Sequence, residues 1–275
     1  MRKIRPYIVG GISLLFAAIV FILPFCFIFV QSIKSKSESA RLSFTWPKVF
    51  MFWENLVEVV KARNYQLLHA YFNSIVLTVG AVTILVVVSA MVGYVLQRGK
   101  SRWNGVFRAL IYMGMMMPPA IVPTIGLLQS IGLFKTMTGM ILIEVSYRMA
   151  FCVMLYRAFI STIPRDLDEA ARIDGAKPLQ IFFRVVFPLL KPVTVTNILV
   201  QSINIFNDFT NPLYYLPGRE NVTVQLTIFN FQSMYSTQYN LLFMNILLVT
   251  IPPLILFIFF NRQIVAGMTT GAVKG

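Results

Sequence analysis

Residues 161–191 read STIPRDLDEAARIDGAKPLQIFFRVVFPLLK, a charged segment that separates two long apolar runs of the chain. The chain has 275 residues, of which 57% are hydrophobic and only 12% are charged. A soluble domain usually carries about 25% charged residues. Because one water-soluble core could not bury this much apolar surface, the composition predicts an all-α integral membrane protein whose helices lie in a bilayer.

Six apolar runs are long enough to cross the hydrocarbon core of a membrane, which takes about 20 helical residues. We predict that residues 1–275 form a single transmembrane domain, with the segment 161–191 as a cytoplasmic loop. The six predicted membrane-spanning helices cover residues 9–31, 72–96, 107–128, 138–160, 190–212 and 241–261.

The positions of lysine and arginine predict the orientation of these spans, because basic residues accumulate in cytoplasmic segments. Such residues are concentrated before the first span, between the second and third spans, and in 161–191. Both termini are therefore predicted to be cytoplasmic, and 32–71 and 213–240 to lie outside, with an amphipathic helix over 50–60. The net charge of +14 indicates topology rather than nucleic-acid binding, because the cations lie between apolar spans.

The loop 161–191 has the features of two short helices separated by a glycine. Acidic residues come early, at positions 166, 168 and 169, and Arg172 comes late, which complements the helix dipole. Gly175 suits the left-handed residue that ends a helix, and Pro178 suits the first turn of another. A small Ala170-Ala171 face between charges favours docking of a partner, and packing of the loop on its own bundle is the alternative.

The spacing of this loop resembles the EAA loop of permease subunits of binding-protein-dependent ABC importers. In that family Glu-Ala-Ala is followed by three residues, Gly, nine residues, Ile, one residue and Leu-Pro. Here Val185 replaces the Ile and Phe187 replaces the Leu before Pro188. Asn73-Ser74, Asn207-Asp208-Phe209 and the C-terminal residues 270–275 resemble the carbohydrate-uptake branch of the family, and most closely the smaller six-span subunit of maltose-type permeases.

This resemblance implies the type I ABC importer permease fold, with six transmembrane helices. It implies a permease subunit that moves a sugar or oligosaccharide across the plasma (inner) membrane of a prokaryote, and a loop 161–191 that couples it to a separate ATPase. The functional residues of that loop would be Glu169, Ala170, Ala171, Asp174 and Gly175.

The resemblance also implies several partners, all of them separate molecules. They are a second homologous permease subunit, two ATP-binding-cassette ATPase subunits, an extracytoplasmic solute-binding protein and membrane lipid. ATP and Mg²⁺ would be bound by the ATPase, so no cofactor is expected in this chain. The binding protein would dock on the outer segments 32–71 and 213–240.

The residues themselves predict no catalytic site. The sequence lacks the Gly-x-x-x-x-Gly-Lys-Ser/Thr pattern of a phosphate-binding loop, so ATP hydrolysis is assigned to a partner. One histidine, His69, and two cysteines, Cys26 and Cys152, form no cluster with the spacing of a metal site or a disulfide framework. We therefore predict that the chain is not an enzyme and binds no metal.

A polar stripe marks the fifth predicted span. Its members recur at steps of three and four residues, which places them within one arc of a helix. They are Thr194, Asn197, Gln201, Asn204, Asp208 and Asn211. Polar groups in lipid usually face the bundle interior or a water-filled cavity. Two interpretations remain open, namely hydrogen bonding between helices and a translocation path for a solute, lined by the residues from Asn197 onward.

Two further features of the spans bear on mechanism. Glu144 and Arg148 are four residues apart in the fourth span and predict an ion pair that braces the bundle. The methionines at 113 and 115–117, followed by Pro118 and Pro119, predict a kink in the third span. An ion- or proton-coupled secondary transporter is the alternative function, with Glu144 and Asp208 as its candidate carboxylates.

Overall fold

The computed structural model describes residues 5–232 and 237–272. These residues form helices and no extended strand, and a single isolated bridge joins Gln232 to Thr237. A π-helical turn covers Ile181–Val186, and a 3-10 helix covers Val224–Phe231. The α-helices are α1 (Arg5–Ser32), α2 (Lys36–Ser39), α3 (Phe52–Arg98), α4 (Asn104–Met116), α5 (Ile121–Ser130), α6 (Met137–Ile160), α7 (Asp166–Ile173), α8 (Pro178–Gln180), α9 (Phe187–Leu189), α10 (Lys191–Phe206), α11 (Thr210–Tyr215) and α12 (Tyr239–Ala272).

The described residues contain four helices that are long and apolar enough to cross a membrane by themselves, namely α1, α3, α6 and α12. Two further pairs of helices reach that length only together. The helices α4 and α5 are bent by 116° at their junction, and the segment Pro178–Leu189 is bent by 77° against α10. The number of candidate spans is therefore four, or six if each bent pair forms one span.

The predicted third span, 107–128, consists of two helices rather than one. The first, α4, ends at Met116, and Met117 has an extended backbone with a ψ of 129°. Proline disfavours helical backbone in the residue before it and has no N–H to donate. Because Pro118 and Pro119 follow directly, the kink predicted here becomes a complete break.

The predicted fifth span, 190–212, extends beyond the end of its helix. The helix α10 ends at Phe206, and α11 begins only at Thr210. Between them the carboxylate of Asp208 accepts a hydrogen bond from the backbone N–H of Asn211 at 3.0 Å. Such bonds from Asp side chains to nearby backbone compete with the helical hydrogen-bond pattern. The polar stripe predicted for one helix is therefore divided between α10, the break and α11.

The chain divides into two compact units. The first comprises the residues up to Ala70 together with Leu226–Ile251. A buried asparagine organises it, because Asn55 donates to the backbone oxygens of Ser32 and Lys34 at 2.8 and 2.9 Å. The Oδ1 atom of Asn55 accepts from the side chain of Asn240 at 2.8 Å. One amide therefore fixes the end of α1 against two other segments of this unit.

The amphipathic helix predicted over 50–60 is the first part of α3, which begins at Phe52. It buries Asn55 and Val59, four residues apart on one face. This first part ends where Ala62 is extended and Arg63–Tyr65 have left-handed backbone, with φ between 51° and 59°. The break separates it from the apolar second part of α3, which contains the predicted span 72–96.

The second unit comprises Tyr71–Gln225 and the residues from Pro252 onward. Its core includes residues of the second part of α3, of α6, of the π-helical turn and of α10. Gly93 lets α3 approach α6 closely, because a Cβ added at Gly93 would lie 3.0 Å from the Cβ of Tyr156. The fully buried members of this core include Leu85, Cys152, Tyr156, Val186 and Leu190.

Candidate functional site

The charged loop forms the two helices that its sequence predicts. All three acidic residues predicted near its start lie in the first turn of α7, and Arg172 lies in the last turn. Helix α7 stops before Gly175, whose φ of +80° lies in the left-handed region. The N–H of Ala176 then donates to the carbonyl of Ala171 at 3.0 Å, which satisfies a backbone acceptor at the helix end.

The predicted coupling residues differ in how much of them is exposed. Glu169, Ala170, Asp174 and Gly175 are exposed, whereas Ala171 is half-buried and packs against the core of the second unit. The Glu-Ala-Ala element thus presents one edge away from the chain and packs the other edge against it. This arrangement is compatible with docking of a partner on the exposed edge.

The second half of the loop begins as predicted and then departs from a regular α-helix. Pro178 occupies the first turn of α8, and the N–H of Lys177 donates to the side chain of Gln180 at 2.8 Å. The following residues form the π-helical turn, which buries Ile181, Phe182 and Val186. Nothing in the periodicity of this apolar stretch predicts a π-helical turn rather than an α-helical one.

Sequence reasoning missed the residue that attaches α7 to a distant helix. Arg98, at the end of α3, indicates topology in the sequence because it lies beside an apolar span. In the structure its Nε lies 2.9 Å from a carboxylate oxygen of Asp168, and both side chains are about nine-tenths buried. Its Nη2 donates to the carbonyl of Ile163 at 2.8 Å. No signal in the sequence pairs residues 70 positions apart.

The polar stripe is only partly accessible. Asn197 and Gln201 are buried in α10, whereas Asn204 is exposed. Asp208 and Asn211, which lie beyond the end of α10, are partly exposed. Thr194, the first member, accepts a hydrogen bond from the hydroxyl of Tyr156 at 3.1 Å. The stripe therefore begins with contacts between helices and becomes accessible toward its end.

The ion pair predicted in the fourth span is confirmed and belongs to a larger group. Arg148 Nε donates to Glu144 at 2.8 Å, and its Nη2 donates to Asp208 at 2.9 Å. The side chain of Glu144 is fully buried. The side chain of Asn211 donates to the same oxygen of Asp208 at 2.8 Å. One guanidinium thus joins α6 to the break between α10 and α11.

Comparisons with known proteins agree with this architecture. The melibiose/raffinose/stachyose import permease protein MelC of Bacillus subtilis is 31% identical to the chain, and the match covers both proteins completely. The probable starch degradation products transport system permease protein AmyC of Thermoanaerobacterium thermosulfurigenes is 30% identical, again over the full length of both.

A solved structure shows the same fold. One chain of a bacterial ABC transporter involved in the import of the acidic polysaccharide alginate superposes with a TM-score of 0.83 at 23% identity. The match covers 95% of this chain and 98% of that chain. The expected ABC importer permease fold is thereby confirmed.

A family model identifies the group of proteins to which this fold and this loop belong. The model for the "binding-protein-dependent transport system inner membrane component" matches residues 86–270, which include α7 and the whole polar stripe. The match extends over more than half of the chain. The chain therefore belongs to the family of inner membrane components of binding-protein-dependent transport systems.

Proposed function

We propose that this chain is the transmembrane permease subunit of an ATP-binding-cassette importer that moves a sugar or oligosaccharide into the cell. The observation that carries this proposal is α7, a short charged helix between two membrane-embedded parts of the chain. Glu169 and Ala170 are exposed on it, and Gly175 ends it at the spacing of the EAA loop. An exposed small-residue edge between charges is suited to a partner that must approach closely.

The names of the relatives support a carbohydrate as the solute. MelC is named for melibiose, raffinose and stachyose, and AmyC for starch degradation products. Amide and carboxylate groups are suitable hydrogen-bond partners for sugar hydroxyls. We infer that the stripe from Asn197 to Asn211 lines the translocation path. Asn204 and Asp208 are accessible in this conformation, and buried Asn197 and Gln201 would be reached after a movement of the helices.

The proposed complex divides the work between chains. This chain and a second homologous permease subunit would form the path, and two ATPase subunits would bind ATP and Mg²⁺ and dock on α7. An extracytoplasmic solute-binding protein would deliver the sugar to the outer segments 32–71 and 213–240. The chain itself would hold no cofactor and catalyse no reaction.

The proposed orientation follows from the charge distribution. The loop that contains α7 and both termini would face the cytoplasm of a prokaryote, because basic residues concentrate there. Arg2 and Lys3, which contribute to this argument at the N-terminus, lie outside the described residues. Labelling of single cysteines with a membrane-impermeant maleimide tests the orientation, and Ile173→Cys should react only after the membrane is opened.

An uptake experiment tests the function. The complete complex is reconstituted into proteoliposomes, with binding protein outside and ATP inside, and uptake of radiolabelled melibiose, raffinose and maltotriose is measured. Uptake of at least one of these sugars should require internal ATP and the binding protein, and an uncoupler should leave it unchanged. Uptake without ATP that an uncoupler abolishes would contradict the proposal.

A proton- or ion-coupled transporter is the second candidate, because two carboxylates share Arg148 within the bundle. In that case Glu144 would carry the coupling ion, and Glu144→Gln would abolish uptake. In an ATP-driven importer the same variant removes one partner of Arg148, but Glu144 takes no part in the transfer of energy from ATP. Uptake per ATP should then remain within about threefold of wild type.

A further inference from the structure

We propose that Arg98 and Asp168 form the joint through which movement of α7 reaches α3. Arg98 is then a positioning residue for energy coupling, distinct from the residues of α7 that face a partner. This inference rests on the proposed function, because it assumes that an ATPase moves α7. It adds a residue outside the loop, and a route into the membrane, that the loop sequence does not contain.

The contacts of Arg98 hold two parts of the loop at once. Its Nε lies 2.9 Å from Oδ2 of Asp168, within α7. Its Nη2 donates to the carbonyl oxygen of Ile163 at 2.8 Å, in the connection that precedes α7. A guanidinium is planar and rigid, so a close ion contact at Nε and a hydrogen bond at Nη2 hold the loop at two points from one group. Arg98 therefore restrains the direction in which α7 leaves the bundle.

Helix α7 depends on this contact because it has little else buried. Of its eight residues Asp166–Ile173, all of which the structure describes, Asp168 alone is buried. Ile173 is 87% exposed, although it is a large apolar residue. A helix of this length is marginal without tertiary contacts. The described contacts that orient α7 are therefore the ion pair with Arg98 and the packing of the helix, through Ala171, on the core and the π-helical turn.

The ion pair also connects α7 to α3, a helix to which the backbone does not join it directly. Toward the N-terminus the backbone connects α7 to α6, and toward the C-terminus it connects α7 to the segment before α10. Neither route leads directly to α3, whose last residue is Arg98. A second and weaker contact lies beside the joint, where Arg165 donates to the carbonyl of Gln97 at 3.4 Å. The ion pair is the short polar connection from α7 to α3.

Burial makes this pair a firm connection rather than a loose one. Exposed ion pairs are screened by water and contribute little, whereas a pair that is about nine-tenths buried resists separation. The exposed acid Asp166 lies on the same helix and carries the same charge. It provides the matched control, because Asp166→Asn removes an equal charge from α7 without breaking a buried contact.

The test compares sugar transport with ATP hydrolysis in the reconstituted complex. The variants are Asp168→Asn, Arg98→Gln, the double exchange Arg98→Asp with Asp168→Arg, and the control Asp166→Asn. In each single variant of the pair the ATPase should still co-purify, while sugar moved per ATP hydrolysed falls at least about tenfold. The control should remain within about twofold of wild type. The double exchange should recover only part of the loss, because aspartate at position 98 cannot donate to the carbonyl of Ile163.

Hydrogen exchange provides a readout that does not need transport. The amides of Asp166–Ile173 should exchange faster in Asp168→Asn than in Asp166→Asn, because the helix loses its anchor. Equal exchange in these two variants would overturn the proposal, and so would a wild-type ratio of sugar to ATP in both single variants. If the wild-type complex takes up no sugar with ATP, the proposed function fails, and the exchange measurement still decides whether the pair anchors α7.

Discussion

Replacement of Gly175 by leucine should uncouple the ATPase while leaving the chain folded. The φ of Gly175 is +80°, a conformation that costs a residue with a Cβ about 1–2 kcal/mol. Beyond the two adjacent residues, no described atom lies within 4 Å of a Cβ built at Gly175, which is exposed, so the added side chain starts in open space. Because folded proteins are typically stable by about 5–15 kcal/mol, the variant should remain folded.

A second glycine provides a matched control. Gly132 has a φ of +71°, and no described atom lies within 4 Å of a Cβ added there either. Gly132→Leu therefore has a similar backbone cost to Gly175→Leu. Gly132 lies between the predicted spans 107–128 and 138–160, so alternation of the spans predicts that it lies on the extracytoplasmic side, opposite to Gly175. If an ATPase subunit approaches Gly175 closely, the added leucine side chain obstructs it in Gly175→Leu and not in Gly132→Leu. Gly175→Asn separates the two causes further, because asparagine tolerates the left-handed region better than leucine.

Thermal unfolding in detergent and ATP-driven sugar uptake are the two assays. The unfolding midpoints of Gly175→Leu and Gly132→Leu should agree within a few degrees, since about 1 kcal/mol shifts the midpoint of a 150–250-residue domain by about 2–4 °C. Uptake should fall at least about tenfold in Gly175→Leu alone. Wild-type uptake by Gly175→Leu, or equal losses in the two leucine variants, would refute close approach of a partner to Gly175.

Three other substitutions address the remaining contacts. Arg148→Met leaves Glu144 and Asp208 without their counter-charge and should destabilise the chain by about 3–5 kcal/mol in thermal unfolding. Adding Glu144→Gln to this variant should recover part of the lost stability. No recovery would contradict a shared ion pair. Asn204→Leu should lower sugar uptake without lowering the unfolding midpoint, since its side chain is exposed, and wild-type uptake would remove it from the path. Asn55→Leu should cost about 1–3 kcal/mol in thermal unfolding through the backbone groups it leaves unpaired, with sugar moved per ATP unchanged in the surviving complex.

The coupling loop could be predicted closely because its determinants are local. Acidic residues in the first turn, a glycine after the last turn and a proline at the next start each act within a few residues of themselves. The helix α7 and the left-handed Gly175 follow from them. The Glu144–Arg148 pair was also predictable, because a spacing of four residues on one helix brings two side chains together.

Features that depend on contacts distant in sequence could not be predicted. Periodicity places Asn197 and Asn204 on one face of a helix, but it does not show that Asn197 is buried and Asn204 exposed. Arg98 indicates topology in the sequence and forms an ion pair in the structure. The bend of 116° between α4 and α5 has a local cause in Pro118 and Pro119, but two prolines in a sequence do not specify the angle.

Asp208 shows why a periodic pattern can name the right residue for an incomplete reason. The period of the stripe assigns it to a path-lining face of α10, but the helix ends before it. Its two oxygens instead accept from the backbone N–H and side chain of Asn211 and from Arg148. A substitution at Asp208 therefore disturbs both the end of α10 and the charge balance at Glu144. Loss of uptake in such a variant does not by itself identify a contact with sugar. Asn204 is exposed, and Arg148 contacts its backbone oxygen rather than its side chain. Replacing the Asn204 side chain therefore leaves the contacts among Glu144, Arg148 and Asp208 in place. Asn204 is the residue at which a lining role and a structural role can be separated.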